Sequence, residues 1–414
     1  MDTAAPALLP PVVLAFIEAL TFRAGYNAAL VALGAALLGA AAGAAGTFLF
    51  LRKRTLVSDA IAHATLPGVG LAFILMVALG GSGRALPGLL IGSALSAGLG
   101  LLAVTAITRH TRLAEDTAIG AVLSVFFGFG IVLLTVIQVM ESGRQAGLEG
   151  FLLGSTAGML FQDAVLIAAG SAVCALLLLL FRRPLTLVCF DPGYAEATGV
   201  STSRMDALML GLVLAITVIG LKLVGLILIV ALLVIPPVTA RFWSERTGTV
   251  TGLAALFGAL AGYLGAALSA SAPNLPTGPI IVLVGVALFV VSLLVAPQRG
   301  VLASALAHRR FQHRVHLRQG LLSLAHGEPI HDRLTLKVLT SAGYLRRDRQ
   351  PTEAGRAEAA RALLDENRWR IARQLHPEEA VGGRYDGLTA IADVLTPDEI
   401  AVLDTHLGPR PVEA

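Results

Sequence analysis

Long apolar runs broken by short polar stretches fill the first 300 residues of the chain. Runs of about 20 residues, enough to cross a bilayer as helix, fall near 25–51, 56–79, 86–107, 117–139, 161–181, 204–221, 223–242, 248–268 and 279–296. Two of them meet at Lys222, so the pattern predicts about 8–9 membrane helices. Residues 12–22, ahead of the first run, fit an interfacial amphipathic helix. The N-terminus carries Pro10 and Pro11 and lacks the basic start of a leader, so residues 1–24 are expected to remain as an N-terminal segment.

After residue 300 the long apolar runs stop. Residues 315–370 show helical periodicity, a turn at Gly327 to Pro329, then Gly343-Tyr344, a basic stretch with Arg346, Arg347 and Arg349, and a long polar helix. That order is the cadence of a winged helix. The expected architecture is therefore an all-α polytopic membrane domain over 25–298, followed by a small α+β winged-helix-like domain with a helical tail over 299–414.

Composition supports the division. Hydrophobic residues make up 56% of the 414 and charged residues 14%, against roughly 25% charged in an ordinary globular domain; the mean hydropathy is +0.78. Residues 1–300 hold 15 Lys/Arg and 12 Asp/Glu, while 301–414 hold 16 and 15, so the charge density of the tail is about three times higher. If the first span ends inside, the inner loops collect 11 basic residues and the outer ones keep Arg23, Arg84, Arg144 and Lys222. The positive-inside rule then places the tail in the cytoplasm.

Gly, Ala and Ser crowd several spans, as in residues 32–46 and 92–100, where small side chains let helices approach closely. Cys174 and Cys189 follow no metal or disulfide spacing and are expected to be packing residues. A phosphate-binding loop needs Gly-Lys, and Lys53, Lys222 and Lys337 are all preceded by other residues. The chain is not expected to hydrolyse ATP itself.

The chemistry concentrates in RTLVSDAIAHATLPGVGLAF, residues 54–73. Asp59 and His63 sit four apart, hence on one helix face, and Pro67 and Gly68 are expected to break the helix just beyond them. His63 is the only histidine in any of the nine runs. Carboxylate plus imidazole is half of a site for zinc, manganese or iron(II), and a two-fold pair of chains would supply two of each. Two other readings stay open: Ser58 or Asp59 capping the second span with His63 at headgroup level, or a proton relay in a secondary carrier.

The segment VSDAIAHATLPGVGLAF resembles the Asp-Ala-x-x-His-Ala-x-Leu-Pro-Gly signature of the permease subunits of zinc, manganese and iron ABC importers. Residues 190–200, FDPGYAEATGV, are similar to that family's cytoplasmic coupling segment; residues 223–240 and 276–294 resemble its later spans. The resemblance implies import of a divalent metal ion through a dimer of permeases. It also implies a separate cytoplasmic ATPase that uses ATP, an extracytoplasmic metal-binding protein, and Asp59 and His63 as pathway ligands.

In the coupling segment Asp191 can cap a short helix, Pro192 suits its first position, Gly193, Tyr194, Ala195 and Glu196 fill it, and Gly199 can end it. The tail resembles the DNA-binding region of iron-dependent regulators. It departs from them in placing Tyr385, Ala392 and Asp393 where metal ligands would stand, and its net charge of +1 argues against DNA as a partner, the partner that an alternative reading as a membrane-tethered transcription regulator requires. The spacing of His308, His313 and His316 does not put all three on one face, so lipid contact by the neighbouring arginines is the expectation there.

Overall fold

A computed structural model describes residues 11–81, 83, 85–140, 159–272, 275–375 and 384–407. Arg84, Arg144 and Pro10 of the sequence reading lie outside them. Two compact units meet at Val301 and Leu302.

The first unit is built of helices. A short helix α1 (Pro11–Leu20) precedes α2 (Tyr26–Leu51), α3 (Thr55–Ala78), α4 (Leu86–His110), α5 (Glu115–Val139) and α6 (Phe161–Leu180). Then come α7 (Arg182–Phe190), the six-residue α8 (Pro192–Ala197), α9 (Thr202–Val224), α10 (Leu226–Arg241), α11 (Thr247–Ala270) and α12 (Thr277–Val295). Eight of them are long and apolar enough to cross a membrane.

The run near 223–242 departs from a full span. Only Gly225, at φ +82°, separates α9 from α10, a backbone angle that side chains with a Cβ rarely adopt. The 16 residues of α10 reach only about 24 Å at 1.5 Å per residue, short of a hydrocarbon core of about 30 Å.

Small residues do what their pattern suggests. A Cβ built on Gly39 of α2 would lie 2.1 Å from the carbonyl oxygen of Gly258 in α11, so these two backbones touch. Two buried hydroxyls pair inside their own helices, Thr47 donating to the Gly43 carbonyl and Thr217 to that of Val213. Such internal pairing is what a water-free surround requires. Helix α1 is held by Tyr263, whose hydroxyl donates to the Leu20 carbonyl at 2.6 Å.

The second unit holds α13 (Val301–His326), which begins at its edge, with α14 (Arg333–Ser341), α15 (Glu353–Leu375), a 3₁₀ turn at Ile391–Asp393 and α16 (Pro397–His406). One apolar cluster joins Leu321, Leu339, Leu345 and Ala359; another joins Trp369, Ala372, Ile391 and Leu403. The expected α+β winged helix is corrected here, because the described residues contain no strand. Its wing reduces to a single antiparallel bridge between Leu345 and Pro351. Arg349 turns the chain at φ +64°, and Pro351 has no N–H with which to extend a ladder.

Candidate functional site

Helix α3 carries Asp59 and His63 well inside its length. The helix starts at Thr55 after Arg54, with no side-chain cap, and the Ser58 hydroxyl donates to the Thr55 carbonyl at 2.6 Å. Capping therefore uses neither Ser58 nor Asp59.

The Asp59 carboxylate Oδ1 lies 3.4 Å from His63 Nε2. Two donors each about 2.1 Å from one ion, at a tetrahedral angle, sit about 3.4 Å apart, which is the separation of this pair. The His63 side chain is 17% exposed and that of Asp59 41%. The edge-to-face ring of Phe127 in α5, 5.1 Å away between centroids, sets the imidazole's attitude. His63 Nδ1 is buried without a hydrogen-bond partner among the described residues. Within those residues no three His, Cys, Asp or Glu side chains gather as a metal cluster.

The expected break at Pro67 and Gly68 is also corrected: Pro67 lies within an unbroken α3, buried together with Gly68. The helix survives because its neighbours come close enough to hold it. Gly130 of α5 leaves room beside Leu66 and the Pro67 ring, and a Cβ on Gly68 would lie 2.0 Å from the Gly92 carbonyl oxygen of α4. Proline still removes the N–H that the His63 carbonyl would accept in a regular helix.

On the segment 190–200, Asp191 caps α8 by accepting from the Tyr194 N–H at 2.9 Å, and Pro192 stands in its first turn. Gly193 and Glu196 are exposed, Tyr194 is 59% exposed, Ala195 is buried, and Gly199 ends the element at φ +86°. The result is a short capped knob seated through Ala195 and presenting Tyr194 outward. Cys189, just before it, is half-buried, and burial pushes its thiol up to about 11, with Arg52 pulling the other way.

In the tail, His308 and His313 are exposed while His316 faces Thr335 and Asp332 at 2.9 and 3.2 Å. Tyr385 donates to Glu366 and carries the Arg373 guanidinium over its ring at 4.3 Å. Its hydroxyl is a packing group, and burial followed by the Glu366 contact raises its pKa.

The sequence reading missed Phe127, and it took Arg52 and Arg54 only as orientation signals. Their partners lie about 60 to 150 residues away, and no local pattern marks such pairs.

Comparison with known proteins adds three findings. The sequence profile of the ABC 3 transport family matches residues 3–296. The manganese transport system membrane protein MntC of Bacillus subtilis is 41% identical over 298 residues, 72% of this chain and 67% of that protein; the zinc transport system membrane protein TroC of Treponema pallidum is 40% identical over 285 residues, 69% and 94%. The structure of PsaBC from Streptococcus pneumoniae in complex with Fab superposes with a TM-score of 0.60 at 30% identity, covering 69% of this chain and 97% of that one.

Proposed function

The chain belongs to the ABC 3 transport family, and from that premise we propose that it is the membrane permease of an ATP-driven importer of divalent transition metal, manganese or zinc before iron. The observation that carries the reading is the Asp59–His63 pair: two ligands at single-ion spacing, inside a span, with no capping duty. Relatives named for manganese and zinc transport narrow the ion class.

Two ligands hold an ion weakly. A two-fold partner, either a second copy or a similar permease, completes the set with another Asp and His, and the ion passes from an extracytoplasmic binding protein into that site. Among the described residues His63 Nδ1 has no hydrogen-bond partner behind it, the support that usually fixes a metal-bound imidazole and tightens a site. A site without it suits passage more than storage.

The chain acts as a transport subunit; ATP is hydrolysed by a partner in the cytoplasm, where the tail also lies. The knob Pro192–Ala197, with Tyr194 exposed, seats in that ATPase and moves with it. A multi-pass position in the cell membrane follows from the eight long apolar helices.

The test is uptake of radiolabelled manganese and zinc into vesicles holding the full complex. Asp59→Ala and His63→Ala, compared at matched assembly, are expected to abolish uptake of the preferred ion. Retained uptake in both variants would remove the pair from the pathway.

A further inference from the structure

A charged node lies where the coupling segment meets the helices of the ion site. Arg52, at the end of α2, grips the Asp206 carboxylate of α9 with two nitrogens, Nε to Oδ1 at 3.1 Å and Nη2 to Oδ2 at 2.7 Å. Its third nitrogen, Nη1, donates to the Val188 carbonyl of α7 at 3.1 Å. Arg54 reaches the same carboxylate from Nη1 at 3.4 Å and pairs through Nε with Glu115, the first residue of α5, at 3.1 Å.

The connections have a definite order. Val188 stands on the helix that enters the segment 190–200 and Asp206 on the helix that leaves it, so Arg52 straddles both ends of the knob. Arg54 immediately precedes α3, which carries Asp59 and His63, and Glu115 opens α5, which carries Phe127 against the His63 ring. Both helices around His63 are thus tied at their first turns to the one carboxylate that also anchors the knob.

The ties are stiff. The Arg52 and Asp206 side chains are 16% and 17% exposed, so water screens them little, and a bidentate guanidinium–carboxylate pair fixes orientation as well as distance. The corner between α2 and α3 is three residues long with Lys53 at φ +59°, leaving little slack between Arg52 and Arg54.

We infer that Asp206 is the positioning residue that transmits movement of the coupling segment to the ion site, acting through Arg52 and Arg54 on α3 and α5. The inference rests on the proposed importer function. A shift of the knob displaces Val188 and Asp206 together, and the two arginines carry that displacement into the first turns of the helices around His63.

The experiment uses the full complex in vesicles, with the ATPase and binding protein present, and reads metal taken up per ATP hydrolysed. Asp206→Asn keeps the shape and removes the charge; Arg54→Gln cuts the arms to Asp206 and to Glu115 of α5 and leaves the Arg52 fork in place. Both variants are expected to bind the ATPase and hydrolyse ATP at the normal rate while the yield of metal per ATP falls by about tenfold, within the usual range for coupling between sites. A proportional fall of hydrolysis and uptake, or an unchanged yield, would overturn the inference. If Asp206→Asn fails to assemble, Arg54→Gln alone decides. A wild-type complex that hydrolyses ATP without importing metal would overturn the importer reading itself, whereas failure of the inference shows only in the variants.

Discussion

Replacing Gly68 by alanine puts one methyl group where α3 and α4 cross, about 7.5 Å along the helix from His63 at 1.5 Å per residue. The new carbon would lie 2.0 Å from the Gly92 carbonyl oxygen and 2.6 Å from Ser96 Cβ. Ordinary contact begins near 3.4 Å, so the helices must separate by about 1.4 Å, and a backbone carbonyl cannot swing aside as a side-chain end can. Overpacking of this kind destabilises by about 1–3 kcal/mol, against a gain of about 0.8–1.0 kcal/mol from alanine's helix propensity. A net loss is expected, up to about 2 kcal/mol.

Gly98 of α4 is the matched control, since a Cβ there meets nothing within 4 Å. Gly98→Ala should be neutral or slightly stabilising. Thermal unfolding of the two variants in the same detergent measures the difference, and metal uptake in vesicles reports whether the altered crossing disturbs the ion site. A Gly68→Ala variant as stable as Gly98→Ala would refute the argument, because the crossing would then not be set by that contact.

Trp369→Ala removes a fully buried ring whose Nε1–H donates to the Thr389 carbonyl at 2.9 Å. A loss of about 3–5 kcal/mol is expected, confined to the second unit, and hydrogen exchange on the whole protein should show faster exchange in α15 and α16 with α2 and α11 unchanged. Cys189 should react slowly with a thiolate-seeking reagent at pH 8, its rate rising with pH toward a midpoint of about 11. The sign follows from burial, which favours the neutral thiol, so the group stays protonated below that midpoint. A midpoint near an exposed thiol's value, about 8.5, would show that Cys189 is not enclosed.

Parts of this architecture were legible because they are one-dimensional. An apolar run of about 20 residues reads as a span wherever it occurs, and the four-residue offset of Asp59 and His63 places them on one face of any helix. The capped knob at 191–199 was equally readable, since Asp, Pro and Gly act on their own backbone and α8 forms as their positions require. The wing of the tail was not, because strand pairing needs a ladder that Pro351 and the turn at Arg349 cut to one bridge.

The chain itself determined that most of it lies in lipid, that a carboxylate and an imidazole share a helix face, and that a short knob follows residue 190; each depends on residue type and near spacing. Tertiary structure alone decided that Pro67 does not break its helix, because Gly130 and Gly92 bring α5 and α4 against it. It also decided that Phe127 faces His63 and that Arg52 finds Asp206 across 154 positions. Such contacts arise from how helices cross, and a crossing is fixed by the fit of whole surfaces that no stretch of sequence carries alone.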